Sequence, residues 1–390
     1  MIYLDNNATS RLDERVLDRM LPYLREDYAN ASSLQHKMGR HANQAIEEAR
    51  NTIAKVLQTQ PKEIFFTSSA TESINMVLRG VFERYQSKGK HIITCQTEHK
   101  ATLTTCEYLE KKGAKVTYLP VNKSGAIDLD ELKNRITAQT ILVSLMSVNN
   151  ETGVIHPIKE IAEICQAKDV LFFCDSTQSI GKQAFDLTTY PIDICCLSAH
   201  KFHGPKGIGA LFVRRKTKPI QIAPLITGGN QEQALRGGTY NVPSIVGMGT
   251  AILHTKEVDY TAIRQLRDYF EDRIQHEIEE TIVNAQEAHR ICNTSNITFR
   301  HVRANEIMTK ISDIAVSSGS ACVSGSRDSS HVLKAMGLTD EDAFCSLRFS
   351  LSKYSTAQEI DQTVEALKTA VSTIRQHSPI WQMYKKGLLG

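Results

Sequence analysis

Ile192-Asp193-Ile194-Cys195-Cys196-Leu197-Ser198-Ala199-His200-Lys201-Phe202-His203-Gly204 runs from an almost wholly apolar segment into a polar turn, where a lysine sits between two histidines. A short β-branched run of this kind predicts a strand over Ile192–Ala199 that is buried on both faces. Such strands belong to parallel sheets covered by helices. Outward from it the same pattern recurs at Ile64–Thr67, His91–Cys95, Val116–Pro120, Thr140–Val148, Val170–Asp175 and Ala210–Arg215. Amphipathic stretches lie between the runs, at Thr71–Tyr85, Asp128–Ile136 and Pro157–Lys168, the last with proline in its first turn. This alternation predicts an α/β fold with a mostly parallel central sheet flanked by helices.

The rhythm changes near Gly247. Beyond it come a long charged helix at about Asp259–Glu280, short strands near Asn296–Phe299 and Leu347–Leu351, and a final helix from Thr356. The expected division is a large α/β domain over 13–250, with 1–12 and 251–390 forming a smaller α+β domain. Ser317–Ser330, rich in Ser and Gly, holds Cys322. With little there to bury, a mobile exposed loop is expected over about 317–331.

The 390 residues are 41% hydrophobic and 23% charged, ordinary values for a globular chain. Lys and Arg number 46 against 43 Asp and Glu, and a net charge of +3 gives no reason to expect DNA or an anionic membrane as partner. The nine cysteines form no CxxC pair and no zinc-type spacing. Met1-Ile2-Tyr3-Leu4-Asp5 lacks the basic start and apolar run of a secretory signal. The expectation is a cytoplasmic protein with free thiols and no membrane span. Arg214-Arg215-Lys216-Thr217-Lys218 reads as a solvated loop, and His200-x-x-His203 lacks a third ligand for a metal.

Ligands of open α/β sheets bind outside the carboxyl ends of the strands. Thr67-Ser68-Ser69-Ala70-Thr71-Glu72-Ser73 opens a helix and offers either a simple cap or an anion cup suited to phosphate. Thr97-Glu98-His99-Lys100 brings an imidazole, and Asn149-Asn150-Glu151-Thr152-Gly153 brings amides or a polar turn. Asp175-Ser176-Thr177-Gln178 brings a carboxylate at a strand end, where a cationic partner is expected. Lys201 is a candidate imine-forming amine or an ordinary loop cation. Five such groups at one sheet edge supply what pyridoxal 5′-phosphate requires: an amine, an acid for the ring nitrogen, a flat ring and a phosphate site.

Those segments, with Leu4-Asp5-Asn6-Asn7-Ala8-Thr9 at the start, Ser317-Ser318-Gly319-Ser320-Ala321-Cys322 and Trp381-Gln382-Met383-Tyr384 near the end, resemble the cysteine desulfurases. These belong to the class V aminotransferase family of fold-type I pyridoxal phosphate enzymes. The Cys322 segment is similar to the long-loop group, typified by enzymes supplying sulfur for iron–sulfur cluster and nitrogenase maturation. The resemblance implies that Lys201 holds the cofactor as a Schiff base, Asp175 pairs with the ring nitrogen, and His99 stacks on the ring and assists proton transfer. It implies further that Gln178 reaches the ring oxygen and Asn150 contacts cofactor or substrate. Thr71, Ser198 and His200 would bind the phosphate, with Ala70 supplying backbone. Arg348 would bind the substrate carboxylate. Thr239, in Arg236-Gly237-Gly238-Thr239, would reach the neighbouring subunit's site, implying a homodimer.

L-Cysteine would then displace Lys201, and the Cys322 thiolate would take the substrate sulfur as a persulfide, leaving alanine. The sulfur would pass to an iron–sulfur scaffold or sulfur-carrier protein. The persulfide makes Cys322 a candidate ligand of a transient [2Fe–2S] cluster shared with such a scaffold. The remaining cysteines on strands, Cys95, Cys174, Cys195 and Cys196, read as small buried hydrophobes. Departures from the family pattern are Asn30-Ala31-Ser32-Ser33 where Asn-Pro-x-Ser is common, Ser69 in place of a frequent glycine, and Ser10 in place of threonine. Rival readings are a selenocysteine lyase or aminotransferase on the same fold, and a pseudoenzyme acting as an assembly scaffold.

Overall fold

The computed structural model describes residues 1–318 and 329–388. Along the chain come β1 (Ile2–Tyr3), α1 (Glu14–Arg25), α2 (Lys37–Val56), β2 (Ile64–Thr67), α3 (Ala70–Tyr85), β3 (His91–Cys95), α4 (Lys100–Glu110) and β4 (Lys115–Leu119). Next are α5 (Leu129–Arg135), β5 (Thr140–Met146), α6 (Ile158–Ala167), β6 (Leu171–Asp175), β7 (Ile194–Ser198), β8 (Gly209–Val213) and α7 (Val242–His254). The last part holds α8 (Tyr260–Glu277), β9 (Thr281–Val283), β10 (Thr294–Phe299), α9 (Ala304–Lys310), β11 (Ile314–Ala315), β12 (Ser317–Ser318) and α10 (His331–Ala335). It ends with α11 (Asp340–Phe344), β13 (Ser346–Ser350), α12 (Ala357–Gln376) and α13 (Pro379–Lys385).

Seven strands form the central sheet in the order β2-β8-β7-β6-β5-β3-β4. The pairs β7–β6, β6–β5, β5–β3 and β3–β4 are parallel, whereas β8 is antiparallel to both of its neighbours. The sheet is therefore mostly parallel, as the alternating pattern predicts. β5 and β7 are buried along their whole length, which is why they appear in the sequence as unbroken apolar runs. Apolar side chains on one face pack with α2, α6 and α7, including Ile46, Ile161 and Met248; on the other, Val77, Leu78 and Cys106 cover the sheet from α3 and α4.

Gly247, where the sequence rhythm breaks, lies inside α7 rather than at the end of an element. The cause is close helix packing: a Cβ on Gly249 would stand 2.8 Å from Ala49 Cβ on α2. A second sheet, β12-β13-β10-β9, is antiparallel and shares its core with α8 and α12 through Phe270, Phe349, Ile360 and Leu367. The chain start joins this part. β1 pairs with β11, and Leu4 is fully buried in the same core.

Arg50 of α2 and Glu232 are joined by two buried contacts of 2.8 and 2.9 Å, and Glu232 also accepts the Phe66 N–H at 2.7 Å. The pair fixes the approach to Arg236–Thr239 against β2. Removing one member of a buried pair leaves the other charge uncompensated. Glu232→Gln is expected to cost about 3 kcal/mol of stability, read as a fall in the urea midpoint; a midpoint equal to wild type would refute that role.

Candidate active site

β2 runs antiparallel to β8 and β8 antiparallel to β7, so β2 points the same way as β7. The carboxyl ends of β2, β3, β5, β6 and β7 consequently open on one edge of the sheet. That edge carries all five polar segments singled out in the sequence.

Lys201 ends a single helical turn after β7. Its amine donates to the backbone carbonyls of Asn7 at 2.6 Å and Ala8 at 2.8 Å, and among the described residues it has no acidic partner. Burial and the nearby Arg348 pull its pKa down to about 8. A sizeable fraction is thus free amine near neutral pH, the form that condenses with carbonyl groups.

Asp175 closes β6 and is buried. One oxygen accepts the Thr177 N–H at 3.0 Å and the Cys196 thiol at 3.5 Å. No cation pairs with it among the described residues, and its hydrogen-bond donors there are an N–H and a thiol. His99 caps α4, with Nδ1 accepting the Ala101 N–H at 3.1 Å. That contact places any proton of the neutral ring on Nε2. The ring is exposed at the cleft, and loss of hydration at the cleft wall outweighs the pull of Asp175 to hold its pKa below the usual value.

Gln178 donates to the Asn7 carbonyl at 3.1 Å. Asn149 shapes the turn after β5: its oxygen takes the N–H groups of Glu151 and Thr152, and its amide donates to Thr97 O at 3.0 Å. Asn150 is placed by that turn, and its carbonyl accepts from Asn7 and from Arg348.

Ala70 and Thr71 form the first turn of α3. The N-cap is Ser69, whose hydroxyl accepts the Glu72 N–H. Their own N–H groups have no acceptor within the helix and face the strand-end edge. Gly209 lets β8 pass close by, since a Cβ there would sit 2.8 Å from the Ser69 carbonyl carbon. Ser198 is buried at the end of β7. His200 contacts the Thr9 hydroxyl at 3.1 Å, and burial takes its pKa down to about 4, so it is a neutral hydrogen-bonding group. Thr239 is exposed and lines, with Ser68, Gly207, Arg236 and Gly238, a cavity of about 200 Å³; Lys201, Asp175 and His99 do not line it.

Arg348 of β13 donates to Asn150 O at 3.0 Å and to Asp5 at 2.7 Å, while its buried Nε has no partner among the described residues. Cys322 lies outside the described residues. The chain on either side of 319–328 does not. Ser317 pairs with Arg348 in the second sheet, Ser330 donates to Glu151 at 2.5 Å, and His331 contacts the Glu98 carbonyl at 3.0 Å. The other eight cysteines are buried free thiols.

Three site residues have no counterpart in the sequence-based expectations. Glu98 is fully buried, receives the Met146 N–H at 2.7 Å, and leaves its other oxygen without a partner among the described residues; burial raises its pKa well above the usual range. Its position beside His99 is the only local signal. Asn7 accepts from Lys201 and Gln178 through its backbone and donates from its side chain to Thr294 at 2.8 Å. Lys182 is buried against Asn7 and Gln178. For Asn7 and Lys182 no local sequence pattern marks the role. Arg214, expected in a solvated loop, instead donates to Ile192 O, Leu187 O and Tyr190 O.

Residues 2–363 match the aminotransferase class-V family. Cysteine desulfurase IscS of Actinobacillus succinogenes is 47% identical over 392 aligned positions, covering 99% of this chain and 96% of that one. The protein of the same name from Rickettsia bellii is 45% identical over 99% of this chain and 95% of its own. Among solved structures, a NifS-like protein superposes with a TM-score of 0.88 at 39% identity, covering 95% of this chain and 99% of that chain. SspA in complex with cysteine superposes at 0.81 and 36% identity, covering 91% and 100%.

In cofactor-free protein, labelling of Lys201 by an amine-specific reagent, followed by mass spectrometry, should titrate near pH 8. Asp175 favours the ammonium and Arg348 opposes it, so Asp175→Asn should lower the midpoint and Arg348→Met should raise it. A wild-type midpoint at the unperturbed 10.5 would contradict the geometry.

Proposed function

This chain belongs to the class-V aminotransferase family, and from that membership and the geometry above we propose that it is a cysteine desulfurase. It removes sulfur from L-cysteine, gives L-alanine, and keeps the sulfur as a persulfide before passing it on. The observation that carries the reading is a half-buried amine, Lys201, and a buried carboxylate, Asp175, at the same strand-end edge, neither with an oppositely charged partner among the described residues.

Pyridoxal 5′-phosphate fits this pair. Asp175 would meet its ring nitrogen, His99 its ring face, and Gln178 its ring oxygen, with Asn150 at cofactor or substrate. Ala70, Thr71, Ser198 and His200 would hold its phosphate. When bound, the cofactor supplies an aldehyde that condenses with amines and a protonated ring that withdraws electrons from the substrate.

The residues divide the remaining work. Lys201 is a proton carrier at Nζ, and its lowered pKa lets it take and return a proton near neutrality. The Arg348 guanidinium, held by Asn150 O and Asp5, binds the substrate carboxylate. The Cys322 thiolate attacks the substrate sulfur: an S–S bond forms, the carbon–sulfur bond breaks, and the electron pair left on carbon is protonated. Anchoring of Ser317 beside Arg348 and of Ser330 on Glu151 supports delivery of Cys322 to this cleft.

The persulfide sulfur goes to an iron–sulfur scaffold or sulfur-carrier protein, and Cys322 is the candidate ligand for a [2Fe–2S] cluster shared with it. Thr239, exposed away from Lys201, serves the cleft of a second copy in a homodimer. No helix among the described residues is long and apolar enough to cross a membrane.

Purified protein supplied with pyridoxal 5′-phosphate should show a borohydride-reducible visible band. Lys201→Ala should lose the band while keeping its fold. Cys322→Ala should keep the band and lose at least 99% of alanine formation from L-cysteine, about a hundredfold or more for loss of a nucleophile. Undiminished turnover of L-cysteine by Cys322→Ala would favour the rival enzyme reading on the same fold and defeat the proposal.

A further inference from the structure

Lys182 is a buried lysine with no carboxylate partner among the described residues, in a part of the cleft that the proposed reaction does not use. It follows Gly181, whose φ is 77° and where a Cβ would stand 2.6 Å from Phe202 Cβ. That tight turn sets the backbone of residue 182 against the segment that carries Lys201. The Cys292 thiol caps the Lys182 carbonyl at 3.2 Å. The amine has two acceptors, Asn7 Oδ1 at 2.8 Å and Gln178 Oε1 in a shorter contact.

The orientation of both amides follows from their other partners. Asn7 donates through Nδ2 to Thr294 Oγ1 and Asn150 O, so its oxygen must face Lys182. Gln178 donates through Nε2 to the Asn7 carbonyl, which can only accept, so its oxygen must also face Lys182. With Oε1 held and one N–H used, the group that Gln178 has left for the cleft is its second N–H. A methionine of similar length would fill the same space without the cost of burying an amine, but would leave Gln178 Oε1 unpaired and only the bond to the Asn7 carbonyl to hold the amide.

We propose that Lys182 is a positioning residue: by holding the oxygens of Gln178 and Asn7 it makes Gln178 present an N–H donor to the ring oxygen of the cofactor. The inference rests on the cofactor reading above. The charged groups nearest Lys182 are the cations Lys201 and Arg348, and burial with their repulsion holds its pKa well below the usual lysine value. Its amine is a donor held by two amide oxygens, with no carboxylate partner among the described residues.

The test is a double-mutant cycle on cofactor-loaded protein with Lys182→Met, Gln178→Leu and the double variant. The measurements are the dissociation constant for pyridoxal 5′-phosphate and the pH at which the visible band titrates. Each single change should weaken cofactor binding about tenfold, the loss of one hydrogen bond to a charged oxygen. Each should also raise the titration midpoint, because the ring oxygen keeps more negative charge without its donor. The double variant should fall well short of the sum, since one residue acts through the other.

Additive losses would assign Lys182 a merely structural part and overturn the proposal, as would a Lys182→Met protein with wild-type affinity and band. If Lys182→Met does not fold, Lys182→Gln carries the test: its amide N–H can still donate to Gln178 Oε1, so near-wild-type affinity and band are expected, and losses as large as those of Gln178→Leu would overturn the proposal. Failure of the wild type itself to form the band would instead bring down the cofactor reading and this inference together.

Discussion

Asn7 is the residue on which the cleft closes. Its carbonyl receives Lys201 and Gln178, its side-chain oxygen receives Lys182 and Asn293, and its amide nitrogen reaches Thr294 and Asn150 O. Its own N–H is held by Ser350 Oγ at 2.9 Å. One residue, through its backbone and side chain together, therefore binds the turn after β6, the turn after β7 and the second sheet into a single wall. Neighbours extend the seam: Asn6 donates to Ser350 O, and Ser10 fastens the carbonyl of His200 and the N–H of His203. Serine at position 10, a departure from the family pattern, still supplies the hydroxyl this seam needs.

Burial rather than ion pairing sets the electrical character of the cleft. Lys201 and Lys182 lose proton affinity, His99 and His200 are held below the usual imidazole range, and Glu98 is pushed well above the usual carboxylate range, in each case chiefly through loss of hydration. Asp175 stands among them with no cation paired to it among the described residues. The arrangement costs stability, since unpaired buried groups are expensive, and functional clefts are where such costs concentrate. Elsewhere the same chain neutralises its buried charges directly, as Arg50 with Glu232 and Arg290 with Glu271 illustrate.

The central sheet was legible because strands covered on both faces must be apolar throughout, and β2 and β3 start and stop where composition places them. Strand ends were less legible. The run from Thr140 continues apolar to Val148, but pairing stops at Met146, where Ser147 and Val148 turn to let Asn149 build its loop. Helix α4, with three threonines and weak periodicity, has little local signature and is held by packing on β3 and β4. Helix α7 is masked by the small residues that let it approach α2. Residues at strand ends could be found because topology fixes where such ends converge. Asn7 and Lys182 could not, since their roles come from partners brought together only by the finished fold.

The separation between those partners has a consequence for how the chain acquires its shape. Asn7 reaches Thr294 across 287 positions and Ser350 across 343. During translation the seventh residue leaves the ribosome long before the residues that will hold it exist. The pocket can therefore be sealed only after Ser350 has been synthesised, which places its completion among the slow, long-range steps of folding.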